Sequence, residues 1–292
     1  MVSLNDKATR EALACLIIDD PLLRPRYGCL DYDYLLQAMK DHDFFTEIAF
    51  IPRNYGRSAP GTVRLFADNP DRYAICVHGC DHLASEFGGE DYEQLRHRAA
   101  TALRRMEEHK RRTGLAYDPV FVFPQGRFSS VAVKALKDAG YFAAFNSTIH
   151  AMDADEPPAI ECRHPATTMY HEFPLFLRRY PRNRREIAED MEAGRPIVLV
   201  EHHGAFRDGY GAITNLVDWI NSLGKVKWTS LGSIAEYYLG REAFVTRPDA
   251  APSASDLRLA PRVLLRRLLC EFRDNYIETS HLLNRIYALL RG

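Results

Sequence analysis

Two pairs of residues in this chain have the types and the spacing that metal-dependent chemistry needs. His78 and His82 lie four positions apart in the segment HGCDH, and Asp19 and Asp20 end the apolar segment LIIDD. A spacing of four residues places two side chains on one face of a helical turn. Two imidazoles and one carboxylate are a common ligand set for a divalent metal with an open position for water. We therefore predict a hydrolytic metal site at which both histidines meet one of the two aspartates.

Each pair has a simpler explanation when it is taken alone. Two histidines at this spacing are often surface residues, and acids before a proline often cap a helix. Cys76 and Cys80 flank His78 and could join a mixed Cys/His zinc site, although Cys76 has the apolar neighbours of a core residue. Adjacent acids at a strand end repel each other unless a cation lies nearby. The occurrence of both pairs at the ends of apolar segments favours the metal site.

The order of apolar and amphipathic segments predicts the scaffold that brings these residues together. Short apolar runs alternate with longer amphipathic segments, which indicates parallel strands joined by helical crossovers. The predicted strands are residues 13–18, 47–51, 73–77, 120–123, 141–145, 197–200 and 226–229. No glycine-rich phosphate loop follows the first strand, where a dinucleotide-binding fold would have one. We expect an α/β fold, a distorted (β/α)7-type barrel of parallel strands, with the catalytic residues at the carboxyl ends of the strands.

Two segments depart from this alternation and define the predicted domains. Residues 150–182 are proline-rich and without clear periodicity, so we expect an active-site loop or a small insertion there. The predicted barrel domain spans residues 1–245, a linker spans 246–260, and C-terminal amphipathic helices rich in Arg and Leu span 261–292. These helices could pack on the barrel, form a homo-oligomer, or contact an anionic membrane surface through residues 261–291.

Composition limits the classes of protein to which the chain can belong. Of its 292 residues, 46% are hydrophobic and 26% are charged, which is ordinary for a globular protein. The formal net charge of -1 argues against nucleic acid as a partner. The six cysteines lack the spacing of a disulfide framework, and no apolar run approaches the roughly 20 residues of a transmembrane segment. No secretory signal pattern precedes Asp19, so we expect a cytoplasmic location.

Four motifs fall in order within residues 10–240, and they read IIDD, HGCDH, FVFPQGRFS and IVLVEHHG. Together they resemble the motifs of the polysaccharide deacetylase family. The family, also called carbohydrate esterase family four, shares the Nod-factor deacetylase homology domain. Two positions depart from its pattern. Gly79 stands where the family usually has Ser or Thr, and Val122 stands where it has an Arg that orients the catalytic Asp.

The resemblance implies a role for each motif residue. It implies one divalent metal ion held by Asp20, His78 and His82, with zinc as the first choice and cobalt, nickel or iron as alternatives. It implies that Asp19 acts as the catalytic base. The histidine of the last motif would be the general acid, and by its spacing after the apolar strand that residue is His202.

Further residues are predicted on the catalytic face. His203 is the alternative general acid, because Glu201 could shift the register of the last motif. Arg127, on the far side of Gly126, could supply the guanidinium that is missing at Val122. The residues predicted to bind substrate are Tyr55, Arg57, Gln125, Arg127, His164 and His203.

These residues predict a metal-dependent hydrolase that cleaves an amide bond through a metal-activated water. The resemblance implies that the enzyme removes an N-acyl group, such as acetyl, and that its substrate is an N-acylated carbohydrate or glycolipid. Two alternatives stay open. One is a hydrolase of a non-sugar amide or imide bond on the same scaffold, and the other is an inactive homologue that binds a glycan. Gly79 and Val122 favour the inactive homologue, whereas the presence of the base and of every metal ligand argues against it.

Overall fold

The computed structural model describes residues 11–156, 167–240, 253–258 and 260–291. The short apolar runs in this part of the chain form strands. They are β1 (Ala12–Asp19), β2 (Arg26–Tyr27), β3 (Leu30–Asp31), β4 (Thr46–Phe50), β5 (Tyr73–His78), β6 (Asp118–Val122), β7 (Ala143–Asn146), β8 (Thr168–Tyr170), β9 (Phe173–Leu177), β10 (Ile197–His202) and β11 (Val226–Trp228).

The amphipathic segments between the strands and after the last strand form helices. They are α1 (Tyr32–His42), α2 (Pro60–Asp68), α3 (Tyr92–Thr113), α4 (Ser130–Ala139), α5 (Arg184–Glu192), α6 (Gly211–Leu223), α7 (Leu231–Leu239), α8 (Ala254–Leu257), α9 (Pro261–Phe272) and α10 (His281–Arg291). No helix among the described residues is long and apolar enough to cross a membrane.

Seven of the described strands form a closed parallel barrel. Hydrogen bonds link them in the order β10, β1, β4, β5, β6, β7 and β9. The ring closes just after β9, where Arg179 donates its N–H to the carbonyl of Val198 at 2.7 Å and accepts the N–H of Val200 at 2.9 Å. The predicted α/β barrel of parallel strands is confirmed. The carboxyl ends of its seven strands therefore lie on one face, which we call the catalytic face.

The seventh barrel strand is not the one that the sequence pattern indicates. Strand β9 lies inside the segment 150–182, which the sequence predicts as a loop or an insertion. The predicted strand at 226–229 is β11, which pairs with the first residues of β1 and lies outside the ring. Pro174 obscures the pattern of β9, because proline cannot donate to a ladder and usually marks an edge or a turn. Here it lies opposite the antiparallel strand β8, and the residues after it pair with β7.

Alternation along the strands divides the apolar residues between two clusters. Leu13, Cys15 and Ile17 of β1 belong to the cluster inside the barrel, whereas Leu16 and Ile18 belong to the larger cluster between the barrel and its helices. Helix α7 closes the amino-terminal end of the barrel, because its buried residues join the inner cluster. The polar residues that follow the strands lie at the opposite end.

The C-terminal segment packs against the barrel in the described part of the chain. Helix α8, within the predicted linker 246–260, is attached to α3 by Asp256, which accepts a hydrogen bond from Arg104 at 2.6 Å. Helix α9 continues into a π-helical turn, Arg273–Ile277, before α10. Much of the predicted linker lies outside the described residues, so the predicted domain limits stay predictions.

Two acids at the amino-terminal end of the barrel hold α7 in place. The Glu47 carboxylate accepts the backbone N–H of Leu231 at 2.6 Å, and Asp118 accepts the N–H of Gly232 at 2.7 Å. Both donors belong to the first turn of α7, where backbone N–H groups lack helical partners and negative charge is favourable. Glu47 is fully buried, and this burial together with the charge of Asp118 raises its pKa well above the ordinary value. The folded state therefore prefers protonated Glu47.

Replacing Glu47 with Gln should reduce the loss of stability as the pH rises. A carboxyl group whose pKa is raised by folding stabilises the fold fully below its unfolded pKa of about 4.3, and this contribution is lost as the pH rises toward the folded pKa. Gln can accept the same hydrogen bond without a titrating proton. Urea unfolding between about pH 5 and pH 8 should show a shallower decline in the free energy of unfolding for Glu47→Gln than for wild type. The control is Glu93→Gln at an exposed position, and equal declines in all three proteins would contradict the assignment.

Candidate active site

Strand β1 carries the two adjacent aspartates to the catalytic face. Asp19 continues the series of residues that point into the barrel, and only 3% of its surface is exposed. Asp20 follows with φ of 83°, a left-handed conformation that is uncommon for residues other than glycine. Backbone strain of this kind is frequent at functional sites, where the surroundings hold a residue in an unfavourable conformation. Because of this turn, the two carboxylates lie in different surroundings.

The three predicted metal ligands lie together. Oδ1 of Asp20 is 3.0 Å from Nε2 of His82 and 3.4 Å from Nε2 of His78, and the three ligating atoms lie within 4.8 Å of one another. Although it is buried, this Oδ1 forms no hydrogen bond with any described group. Nδ1 of His78 lies 3.0 Å from the carbonyl of Val122, to which it can donate, so that Nε2 is left as the ligating atom. An unsatisfied buried carboxylate oxygen facing two imidazole nitrogens fits a divalent cation.

The electrostatic surroundings differ among the three predicted ligands. Burial would lower the pKa of His78, but the negative charges of Asp19 and Asp20 outweigh burial and raise it. Burial by itself would raise the pKa of Asp20, but the imidazoles of His82 and His78 outweigh burial and hold that pKa well below its ordinary value. Burial lowers the pKa of His82 to about 4, so its imidazole is neutral at neutral pH. Asp20 is therefore a carboxylate and His82 a neutral imidazole, as metal binding demands.

A buried glutamate shapes the loop that carries the two histidines. The carboxylate of Glu86 accepts the backbone N–H groups of residues 80–82 at 2.8 to 3.0 Å. Gly79 precedes them with φ of 62°, and a Cβ there would lie 2.4 Å from Pro124 and 2.7 Å from Glu86. The Ser or Thr expected from the family could not fit at this position. Glu86 organises the loop in its place, so Gly79 alone does not indicate a lost activity.

Arg178 supplies the guanidinium that orients Asp19. Its Nη1 donates to Oδ1 of Asp19 at 2.8 Å, and both side chains are almost fully buried. Burial would raise the pKa of Asp19, but the positive charge of Arg178, followed by His78 and His202, lowers it below the ordinary value. The sequence suggests Arg127 for this role, which the structure corrects, because Arg127 is exposed and has no contact with Asp19. Arg178 follows β9, the strand that the sequence pattern does not reveal.

The two histidines of the last motif lie in different surroundings. His202 ends β10, is exposed, and lies in register with Asp19 on the neighbouring strand β1. His203 is buried, with its ring centre 5.3 Å from that of Tyr27 and its Nε2 3.9 Å from Oδ1 of Asp274. A group that protonates a substrate must be reachable from solvent. The geometry therefore favours His202 over His203 as the candidate acid.

Three of the predicted substrate contacts lie on loops of the catalytic face or beyond the described residues. Gln125 and Arg127 are exposed in the turn after β6, where Gln125 has φ of 58°. His164 falls outside the described residues. A role in substrate binding stays a prediction for all three.

Tyr55 and Arg57, also predicted to bind substrate, contact the C-terminal segment instead. The hydroxyl of Tyr55 donates to the carbonyl of Leu257 at 3.4 Å, and Arg57 forms a bidentate ion pair with Glu271 of α9. A bidentate pair of this kind occupies the guanidinium. We therefore assign both residues to the attachment of the C-terminal segment and not to the substrate.

The C-terminal segment reaches the candidate metal site itself. Arg267 of α9 is almost fully buried, and its Nη2 donates to the backbone carbonyl of Asp20 and to the hydroxyl of Tyr27, each at 3.1 Å. Tyr27 in turn donates to Asp274 at 2.7 Å. Sequence reasoning missed Arg267, because nothing local in an Arg- and Leu-rich helix shows which arginine will reach a strand end 247 positions away.

Comparisons with known proteins bear on the fold. No family model matches the chain, and no curated protein is similar to it in sequence. A structure described as a polysaccharide deacetylase from Mycobacterium smegmatis aligns with a TM-score of 0.54 over 83% of this chain and 96% of that chain, at 15% identity. A deacetylase solved with substrate gives a TM-score of 0.47 at 12% identity, covering 80% of this chain and 94% of its own. A family 4 carbohydrate esterase from Streptomyces lividans in complex with acetate gives a TM-score of 0.42 at 12% identity, covering 82% of this chain and 95% of its own.

The alignment with the mycobacterial structure covers nearly the whole of that protein and most of this one. At 15% sequence identity, this similarity indicates a shared fold. The same family was indicated by the four motifs at the strand ends, and the structure brings their ligand residues together. The resemblance is thus confirmed at the level of architecture, and the chain has the fold of the polysaccharide deacetylases.

Proposed function

We propose that this protein is a metal-dependent hydrolase that removes an N-acyl group, acetyl foremost, from a sugar-containing substrate. The observation that carries the proposal is the buried, unsatisfied Oδ1 of Asp20 facing Nε2 of both His78 and His82. These three residues would hold one divalent cation, and zinc suits two imidazoles and one carboxylate. The fold, shared with a polysaccharide deacetylase, supports a sugar as the carrier of the acyl group.

Each group around the proposed site has a separate task. A divalent metal bound there would supply Lewis acidity, which activates water and polarises a carbonyl oxygen. Asp19 accepts the proton of the attacking water at Oδ2, because its Oδ1 is held by Arg178. Amide nitrogen is a poor leaving group unless it is protonated, and exposed His202 donates that proton. Arg178 keeps Asp19 ionised and oriented throughout.

Substitution of a ligand histidine should remove the metal. Elemental analysis of purified wild type should find about one equivalent of divalent metal, and His78→Ala and His82→Ala should lose most of it, because two ligands hold a cation far less tightly than three. His97→Ala, at an exposed position of α3, is the matched control and should keep the wild-type content. Full metal content in both ligand variants would refute the assigned site.

Changing Asp19 to Asn should separate catalysis from metal binding. The variant should keep its metal and lose at least about 100-fold in kcat, since loss of a general base typically costs 10²-fold or more. Acetate release from N-acetylglucosamine oligomers is the measurement, with Asp68→Asn at an exposed position as the control. Wild-type turnover in Asp19→Asn would remove this residue from the mechanism. Wild-type activity on simple amides but on no acetylated sugar would transfer the proposal to a non-sugar substrate.

Arg178→Met should change the pH dependence of the reaction. Arg178 lowers the pKa of Asp19, so without it Asp19 would stay protonated to a higher pH and the acidic limb of the kcat/KM profile should move upward. Arg178→Lys keeps the positive charge and should move the limb less. Acetate release between about pH 4 and pH 8 measures the shift. If activity falls while the limb stays where it is in wild type, Arg178 has only a structural role.

A further inference from the structure

Helix α9 and the turn after it expose large apolar side chains on the surface turned away from the barrel. Val263 and Arg267 are the residues of α9 that are buried against the barrel. Their spacing places the exposed apolar residues on the opposite side of the helix. The ring of Tyr276 continues this apolar surface, because its centre lies 5.3 Å from that of the Phe272 ring. They are 42–64% exposed and form what we call the outer apolar face: Leu264, Leu265, Leu268, Leu269, Phe272 and Tyr276.

Uncompensated positive charge borders the outer apolar face. Arg262 and Arg266 are exposed one turn apart on the same side of α9, and neither forms an ion pair within the described part of the chain. The acids of residues 260–291 are all paired with arginines, and they are Glu271, Asp274 and Glu278. The border that Arg262 and Arg266 form beside the outer apolar face is therefore cationic.

The dimensions and charge of α9 suit a membrane surface. Its 12 residues span about 18 Å, whereas the hydrocarbon core of a bilayer is about 30 Å thick, so the helix could lie on a bilayer but not cross it. An amphipathic helix with arginines beside its apolar side binds such a surface through apolar burial and attraction to anionic lipids. A second copy of the chain suits the surface less well, because a two-fold contact pairs the surface with itself and brings no negative charge to the arginines.

We propose that the outer apolar face of α9 docks this protein on an anionic membrane surface. The inner side of the same helix carries Arg267, which donates to the carbonyl of Asp20. The bilayer would therefore lie about one helix diameter, roughly 10 Å, from the catalytic centre. Docking brings the catalytic face to the level of the lipid head groups. This last step rests on the proposed function, and it names the substrate class as an N-acylated sugar carried by a lipid.

Binding to vesicles tests the docking without any need for turnover. The full chain is sedimented with vesicles of phosphatidylcholine and phosphatidylglycerol, or of phosphatidylcholine alone. We expect binding to the mixed vesicles that weakens as salt is added and is at least about 10-fold weaker on the neutral vesicles. Asp19→Asn should bind like wild type, so a failure of the proposed chemistry leaves this measurement intact. Absence of binding by wild type would overturn the proposal.

Variants of the outer apolar face and its border assign the binding to α9. Leu265→Asn with Leu269→Asn, and separately Arg262→Glu with Arg266→Glu, should each weaken vesicle binding by about 10-fold or more. The controls are Leu223→Asn on α6 and Arg96→Glu on α3, exposed positions on other helices. Urea midpoints should stay at the wild-type value, since all changes are at exposed positions. Undiminished binding by both α9 variants would refute the assignment.

Two further measurements separate the proposal from its rivals. Sedimentation velocity measures whether the wild-type protein is a dimer. A dimer that the leucine variant dissociates and that does not bind vesicles would overturn membrane docking. The outer apolar face would then be assigned to a second copy of the chain. Deacetylation of a lipid-anchored N-acetylglucosamine in mixed vesicles should fall about 10-fold in the α9 variants, with soluble oligomers unaffected. Equal rates on the anchored substrate in wild type and α9 variants would overturn the substrate class and leave the deacetylase proposal standing.

Discussion

Oδ1 of Asp20 is buried between two imidazole nitrogens and forms no hydrogen bond in the described part of the chain. An unsatisfied buried carboxylate oxygen costs free energy, and the left-handed backbone of both Asp20 and His82 adds to that cost. The framework around them offsets it. Arg267 holds the carbonyl of Asp20, and Glu86 holds the three N–H groups of the histidine loop. The fold thus maintains a ligand set that a cation would stabilise, and the rest of the catalytic face is arranged around it.

Two neighbouring aspartates acquire different roles because their surroundings differ. Asp20 faces the imidazoles, while Asp19 points into the barrel and is held by Arg178. Each carboxylate is therefore ionised for its own reason, one beside ligand nitrogens and the other beside a guanidinium. Environments that assign separate tasks to similar groups are a usual way for one site to perform both binding and proton transfer.

The C-terminal segment connects the candidate metal site with the outside of the molecule. Its helix α9 reverses the usual distribution of residue types, because Arg267 is buried and four leucines are exposed. Arg267 can be buried because the carbonyl of Asp20, the hydroxyl of Tyr27 and the carboxylate of Glu271 surround it. A helix with polar groups anchored inward and apolar groups turned outward fits a segment that meets a further surface.

The sequence by itself determined the alternation of parallel strands and helices and the residues of the candidate metal site. Strands and helices follow from local periodicity, and the ligands follow from short motifs at strand ends. Only the tertiary structure decided that β9 closes the barrel, that Arg178 orients Asp19 across 159 positions, and that Arg267 reaches Asp20. It also buried His109 on the otherwise strongly charged helix α3. The local pattern of residues indicates which secondary structure a segment can form. The partner of a buried charge depends instead on which distant segment packs beside it.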